Sequence, residues 1–312
     1  MGERALFALV VVLLAGMFDV LLGEPPDRIH PVVGIGKLID ALAKRRPRER
    51  PAAEFLWGVL IVIVTTGVTG AMAWGLTVGL ARLPWWASLP LTAYLLKTMF
   101  SLRGLVSAGQ TVRRALEADT DAARDELKAL VSRSRNLDPP QIVSATVESL
   151  AENLTDSVLA PLLAFAIFGL PGAAVYRAIN TMDAMIGYRG EYEYVGKAAA
   201  RLDDVVNWIP ARLAGVILCL VALCTGGLRN AVRALLRDRH VVESPNAAWT
   251  MAPMAGALRI QLEKVGHYRL GLPERPLTAE LIGEAATLTW LAGGIYILVS
   301  GGLAAVVMKF LW

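Results

Sequence analysis

Residues 5–22 read ALFALVVVLLAGMFDVLL, a run broken only by Asp19, and 18 residues are just enough to cross the hydrocarbon of a bilayer. No small-residue cleavage signal follows, so a retained first helix is expected. A charge near the end of such a segment is costly in lipid, which predicts that Asp19 faces protein or the interface. Similar runs recur. Residues 56–81 form a second span, 26 residues long with five glycines, expected to tilt or pack closely on a neighbour. Pro84, Trp85 and Trp86 read as an interfacial turn, from which residues 84–100 are expected to return across the bilayer with Lys97 snorkelling to the surface. Residues 288–311 make a last span. The fold class is therefore all-α: a polytopic integral membrane protein with cytosolic helical loops and a re-entrant or buried amphipathic helix.

Composition agrees. Of the 312 residues 55% are hydrophobic and 19% charged, against about 25% charged in soluble domains. The net charge of +4 matters less than its distribution, because the basic residues lie between the apolar runs, as in segments held on the cytoplasmic side. Counted from an outside N-terminus, the basic loops 23–54, 101–142 and 229–284 all fall inside. One membrane-embedded domain over residues 1–312 is expected, with 23–54, 101–156, 171–208 and 229–284 in the cytosol. Segments 157–170 and 209–228 stay open. The first is too short to span, and the second is apolar enough but holds Arg212 between two basic flanks. The run KRRPRER at 44–50 reads as a topology signal with affinity for anionic lipid. Basic and aromatic interleaving of the nucleic-acid-binding kind is missing, as are repeats, Walker A, GxGxxG and GxSxG sequences and zinc spacings. Cys219 and Cys224, about 140° apart on a helix, are not expected to pair.

The stretch 143–161, VSATVESLAENLTDSVLAP, differs from the rest. Glu148, Glu152 and Asp156 fall within about 80° of one helix face, with Ser144 and Thr155 beside them. Val143, Val147, Leu150, Ala151, Leu154 and Val158 take the other side, so the helix is amphipathic with an acidic stripe. No Lys or Arg occurs from residue 136 to residue 176. Acids one turn apart repel unless a cation or a basic element comes to them; the plainer reading is a solvated face. A second polar region, 171–208, supplies Arg177, Asn180, Asp183, Arg189, Lys197, Arg201, Asp203, Asp204 and Asn207, with Arg212 just beyond. Arginines suit phosphate or carboxylate, and paired acids hold Mg²⁺ among phosphate oxygens. Singly, each is more often a surface ion pair. Ser244, Pro245 and Asn246 lead into a helix whose N-terminal N–H groups either receive an anion or are simply capped. Glu263, Lys264, Gly266, His267 and Tyr268 read as a polar loop.

Five blocks in fixed order, LLGEPPDRIHPVVGIGKLI, VESLAENLTDSVLAPLL, YRAINTMDAMIGYR, AAARLDDVVNWIPAR and SPNAAWTMAPMAGAL with LEKVGHYRLG, resemble the CobD or CbiB family of cobalamin-biosynthesis membrane proteins, the adenosylcobinamide-phosphate synthases. AmpE-type membrane proteins are a weaker likeness that does not account for all five. The resemblance implies a synthase of the prokaryotic cytoplasmic membrane, its site facing the cytosol, that joins adenosylcobyric acid to (R)-1-amino-2-propanol O-phosphate or a related amino-alcohol phosphate through an amide, using ATP and Mg²⁺. It also admits a homo-oligomer or an assembly with other late cobamide-synthesis enzymes.

On that resemblance Glu148, Glu152, Asp156 and Asp183 are the catalytic candidates, with Glu152, Asp156, Asp203 and Asp204 as metal ligands. Arg177, Arg189, Arg201, Arg212 and Lys264 are candidates for phosphate or substrate, and Asn180, Asn207 and Asn246 for orientation. Three positions depart from the family pattern. Ser134 follows Arg133 where Asp is usual, Glu24 stands where Asp is common, and Val265 lies between Lys264 and Gly266 where Pro is common. The rival readings are a corrinoid-binding or transport membrane protein without ligase activity, and a scaffold whose acidic stripe is an interaction face. Most charges lie in loops flanking the spans rather than inside them, which favours the enzyme.

Overall fold

A computed structural model describes residues 2–48, 50–128, 130–131 and 137–310; the Arg133–Ser134 departure lies outside them. The helices are Glu3–Leu22 (α1), Pro31–Ala43 (α2), Pro51–Leu80 (α3), Trp85–Lys97 (α4), Leu102–Ala118 (α5), Thr120–Leu127 (α6), Pro139–Leu154 (α7), Ala160–Ile186 (α8), Lys197–Val206 (α9), Trp208–Val221 (α10), Leu228–Asp238 (α11), Ala248–Leu258 (α12) and Ala279–Phe310 (α13). A π-helical turn, Thr155–Leu159, joins α7 to α8, and a hairpin of Gln261–Lys264 (β1) and Tyr268–Gly271 (β2) precedes α13. The all-α reading holds, with this two-stranded sheet as its one exception among the described residues.

Among the described residues, five helical runs are long and apolar enough to cross a membrane: Glu3–Leu22, Pro51–Leu80, Pro139–Ile186, Trp208–Thr225 and Ala279–Phe310. The open segment at 209–228 is thus among them. The segment at 157–170 does not stop at Leu170. Helix continues to Ile186 through a break at Gly169, whose φ of 66° and ψ of −158° suit only glycine, with Pro171 restarting the helix. The expected return at 84–100 is instead the 13-residue α4, about 20 Å long at 1.5 Å per residue and short of the ~30 Å hydrocarbon thickness.

The chain divides into two compact units. The first contains Met1–Ser101, Ala160–Asn207 and Ile297–Trp312. In it α1 runs along α4, and α3 along α8, while α2 and α9 flank α8. Ile35 and Ile39 of α2, Ile61 of α3, Ala178, Ile179, Met182 and Ile186 of α8 and Ala199 of α9 close one apolar core. Leu56, Ile63, Met72 and Trp74 of α3 point outward and are 62–67% exposed, an apolar face suited to lipid.

Asp19 is buried, as expected of it, but Lys97 does not snorkel. Its Nζ is fully buried, 2.8 Å from Glu24 Oε1 and 3.6 Å from Asp19 Oδ1. Two carboxylates close by outweigh the pull of water, since a buried charge must be paired. His30 Nε2 lies 3.0 Å from Glu24 Oε2, while His30 Nδ1 caps α2 by accepting from the Val32 N–H at 3.2 Å. Burial alone would raise the Glu24 carboxyl, but hydrogen bonds from His30, Lys97 and Ser101 outweigh it and hold the group down at about 2. The early proline-rich block therefore ties the start of α2 to the ends of α1 and α4.

Gly58 of α3 sits on the chain just before α9, where a Cβ would collide with the Val195 carbonyl. Gly58→Ala is expected to cost about 2–3 kcal/mol by overpacking. Gly34→Ala on exposed α2, with no atom within 4 Å of the added carbon, should be neutral or slightly stabilising. Thermal midpoints of the two variants in detergent check this; equal midpoints would contradict the close approach.

The second unit contains Leu102–Leu159 and Trp208–Tyr296. Its centre is α12, with every residue from Thr250 to Leu258 buried, packed on α7, α10, α11 and β2. Gly215 and Gly256 allow this, because a Cβ at either would strike a carbonyl oxygen, of Trp249 or of Asn230. The polar loop expected at 263–268 is in fact the hairpin. Leu262 and Leu270 pair across it into the core, and Gly266 turns the chain at φ 78°. Two four-residue strands carry too short an alternation to be distinguished from a loop.

Candidate functional site

Each unit gathers polar side chains. In the first unit, Tyr176, Asn180 and Asp183 lie within about 60° of one face of α8, and Asp203 and Asn207 stand one turn apart on α9. Tyr176 Oη donates to Asn207 Oδ1 at 2.8 Å, and Asn207 Nδ2 donates to Asp203 Oδ2 at 2.9 Å. Asn207 is 1% exposed, so its amide is fixed from both sides and orients the Asp203 carboxylate. Asp203 Oδ1 is buried with no hydrogen-bond partner among the described residues. Burial, and then the neighbouring Asp183 carboxylate, push the Asp203 carboxyl up to about 7 against the pull of the Asn207 and Asn180 amides. Burial raises Asp204 as well, opposed by Arg201, whose Nη1 is 3.8 Å from Asp204 Oδ2. Arg177 Nη1 donates to Asn180 Oδ1 at 3.3 Å, while Arg189, Lys197 and Arg201 are exposed.

A buried carboxylate with an orphaned oxygen beside a second carboxylate is a poor place for two negative charges and a good one for a divalent cation. Among the described residues no three His, Cys, Asp or Glu side chains gather to hold an ion. Mg²⁺ needs no such cage, since it is commonly held by one or two carboxylates together with substrate phosphates. The Asp183 and Asp203 pair fits that demand.

In the second unit, Ser144 Oγ donates to Glu148 Oε1 at 2.9 Å and accepts the Glu263 N–H at 2.8 Å, while Tyr268 Oη donates to Glu148 Oε2 at 3.0 Å. The hairpin is thereby fastened to the acidic face of α7. Glu152 is exposed, and Asp156, half-buried, lies in the π-helical turn, a feature frequent at functional sites. Lys264 Nζ is 5.7 Å from the centre of the Tyr268 ring. Beside Ser144 opens a cleft of about 500 Å³ between the start of α7, β1 and the segment through Arg275.

Arg212 is held between two indoles, its guanidinium carbon 4.1 Å from the Trp208 ring centre and 4.8 Å from that of Trp249. Its Nη1 donates to the Trp208 carbonyl at 2.7 Å and to Asn246 Oδ1 at 3.0 Å. Stacking and a shared donor fix the plane of the guanidinium and leave its other N–H groups to meet a flat anion. Ser244 Oγ accepts from the Asn246 and Ala247 N–H groups at 3.2 and 3.4 Å, so those N–H groups are capped by the side chain.

With this geometry in view, similarity to known proteins becomes informative. The sequence model of the family described as CobD/Cbib protein matches residues 12–289. The chain belongs to that family. The cobalamin biosynthesis protein CobD of Dehalococcoides mccartyi (strain CBDB1) is 41% identical over 300 residues, 95% of this chain and 97% of that protein. The probable cobalamin biosynthesis protein CobD of Methanocaldococcus jannaschii is 40% identical over 269 residues, 84% of this chain and 88% of that protein. The protein of the same description from Pyrococcus furiosus is 40% identical over 284 residues, 89% and 92% of the two chains. No solved structure matches the chain.

Of the residues singled out in this CobD/Cbib chain, the fold gathers Asn180, Asp183, Asp203, Asp204 and Asn207 with Arg177 in the first unit. It joins Glu148 to the hairpin, and Arg212 to Asn246, in the second. The acidic stripe belongs to the second unit, whereas Arg177, Arg189 and Arg201 belong to the first. Sequence reasoning gave no role to Tyr176, Trp208 or Trp249 and placed Tyr268 only in a polar loop. Each adjoins or lies within a polar block, yet only contacts 31 to 120 residues away in the chain disclose what Tyr176 and Tyr268 do.

Proposed function

We propose that the chain catalyses ATP-dependent ligation of adenosylcobyric acid with (R)-1-amino-2-propanol O-phosphate, or a related amino-alcohol phosphate, to give adenosylcobinamide phosphate. The relatives named for cobalamin biosynthesis support the pathway, and the site chemistry supports the reaction class. One observation carries it: the buried Asp203 Oδ1, without a hydrogen-bond partner among the described residues and next to Asp183 and Asn180, which suits a metal ion. A carboxylate is a poor electrophile, so it must first accept a phosphoryl group and become an acyl phosphate. Mg²⁺ would neutralise charge on the phosphoryl group as it moves.

The chain's own residues do the rest. Asp183 and Asp203, the latter oriented through Asn207 and Tyr176, would hold the metal, and Asp204 would add a contact. In the first unit Arg177, Arg189 and Arg201 are suited to phosphate or carboxylate oxygens, and in the second unit Arg212 and the point charge of Lys264 are. In the second unit Glu148, Glu152 and Asp156 are carboxylates able to accept a proton from an ammonium group, which would leave a neutral amine. The amine nitrogen then bonds to the acyl carbon, inorganic phosphate departs with the C–O electron pair, and the nitrogen's surplus proton passes to the departing phosphate. The membrane-spanning helices support a multi-pass membrane protein, and the reaction belongs on this reading to the prokaryotic cytoplasmic membrane, with the site facing the cytosol beside the lipid bilayer.

Purified protein given adenosylcobyric acid, the aminopropanol phosphate and MgATP is expected to form the amide together with one ADP per product. Absence of any nucleotide-dependent amide would overturn the ligase. Corrinoid uptake into proteoliposomes without amide formation would establish the transporter in its place.

A further inference from the structure

The basic run at 44–50 looks uniform in sequence, but the fold singles out one member. Lys44 pairs with Asp40 of its own helix with both side chains exposed, and Arg45 bonds the Ala41 carbonyl. Arg46 instead turns inward, and its side chain is only 4% exposed. Its Nη2 lies 2.7 Å from Glu191 Oε1 and 3.4 Å from the Glu191 carbonyl, and its Nη1 donates to the Ala43 carbonyl at 3.3 Å. The guanidinium carbon sits 4.6 Å from the centre of the Tyr192 ring, which in turn meets Tyr188 edge-on at 5.2 Å.

The target of these contacts is the strap of residues 187–196 between α8 and α9. Both its ends are pinched. Gly187 donates its N–H to the Asp183 carbonyl at 2.7 Å, and a Cβ there would strike the Asp183 carboxylate. Gly196 donates to the Tyr192 carbonyl at 2.9 Å, and a Cβ there would strike the Ile186 carbonyl. Between the pinched ends the strap carries Arg189, two residues before Glu191, and it leaves α8 four residues after Asp183. Arg46 grips its middle by two acceptors of Glu191 and one ring face, which takes a planar fork and not an ammonium point charge.

We propose that Arg46 is a positioning residue, the clasp that holds the strap of residues 187–196 so that Arg189 meets the phosphate of the amino-alcohol substrate beside Asp183. The strap follows from the contacts alone; the phosphate role rests on the ligase reading above. The test uses the full chain in lipid nanodiscs, comparing wild type with Arg46→Gln, Arg46→Lys and Glu191→Gln. Glu191 is largely exposed, so its variant folds even if an Arg46 variant does not. Amide hydrogen exchange over residues 188–195 is expected to speed up about tenfold or more in Arg46→Gln and measurably in Glu191→Gln, with α8 and α9 unchanged. The KM for aminopropanol phosphate should rise about tenfold with kcat within threefold, and Arg46→Lys should recover little of it.

Unaltered exchange in Arg46→Gln and Glu191→Gln would overturn the clasp. Faster exchange with an unaltered KM would overturn the positioning of Arg189. A wild type that makes no amide would refute the ligase reading, and the exchange measurement would still decide the clasp.

Discussion

Asp203→Asn is expected to lower ligation at least a hundredfold and, in the same protein, to raise the melting midpoint above neutral pH. Both effects come from one carboxylate. In the folded chain burial and Asp183 lift the Asp203 carboxyl to about 7, whereas in an unfolded chain it titrates near 3.9. Between those values the native state keeps a proton that the unfolded state has lost. The stability tied to that proton is whole below about pH 4, declines as pH rises and is gone above pH 7. An amide carries no charge to desolvate, so the variant should be more stable than wild type by on the order of 2 kcal/mol at pH 8 and about equal to it at pH 4.

Mg²⁺ should raise the wild-type midpoint at pH 8 more than that of Asp203→Asn, because the variant keeps only Asp183 of the pair that would hold the ion. Melting curves in detergent at the two pH values, with and without Mg²⁺, test this apart from turnover. A variant less stable than wild type at pH 8 would show that Asp203 is a structural acid, held by Asn207 and nothing more.

The second large effect is expected in the acidic stripe. Glu152→Gln and Asp156→Asn should each leave the fold intact and lower turnover by at least a hundredfold. Glu152 is exposed and Asp156 half-buried on the outer side of the helix, and neutral isosteres at such positions usually change stability by less than about 0.5 kcal/mol. Turnover depends on the charge that the isosteres remove, since an amide cannot take a proton from an ammonium group. Glu148→Gln provides the contrast. Both its oxygens are engaged, by Ser144 and Tyr268, so this variant should also loosen the hairpin and cost about 1 kcal/mol. Wild-type rates in both Glu152→Gln and Asp156→Asn would show the stripe to be a solvated face without a part in catalysis.

Much of this molecule was legible wherever the informative signal was local. Asp19 was expected to face protein because one charge in an apolar run leaves few alternatives, and it is buried beside Lys97. The acidic stripe on α7 was visible because residues four apart share a helix face. Lys97 was misread for the same local reason. A lysine near a helix end snorkels unless a counter-charge from elsewhere reaches it, and Glu24 does so from more than 70 residues away. Arg46 was likewise indistinguishable from its basic neighbours until Glu191 and Tyr192 came to it. The hairpin at 261–271 was hidden by the brevity of its strands, and the 84–100 segment was lengthened in the reading because Trp85 and Trp86 imitate an interfacial anchor.

By itself the sequence determined that the chain is helical and multi-spanning, where its polar blocks lie, and which family they belong to. Hydropathy and a 3.6-residue period act between near neighbours, and family blocks are strings of adjacent residues. Only the tertiary structure decided which polar groups meet: Tyr176 with Asn207 and Asp203, Tyr268 with Glu148, Arg212 between Trp208 and Trp249, Arg46 on the strap. A carboxylate's charge state and an arginine's orientation depend on dielectric and partners within a few ångströms, and those partners come from distant stretches of chain that folding alone brings together.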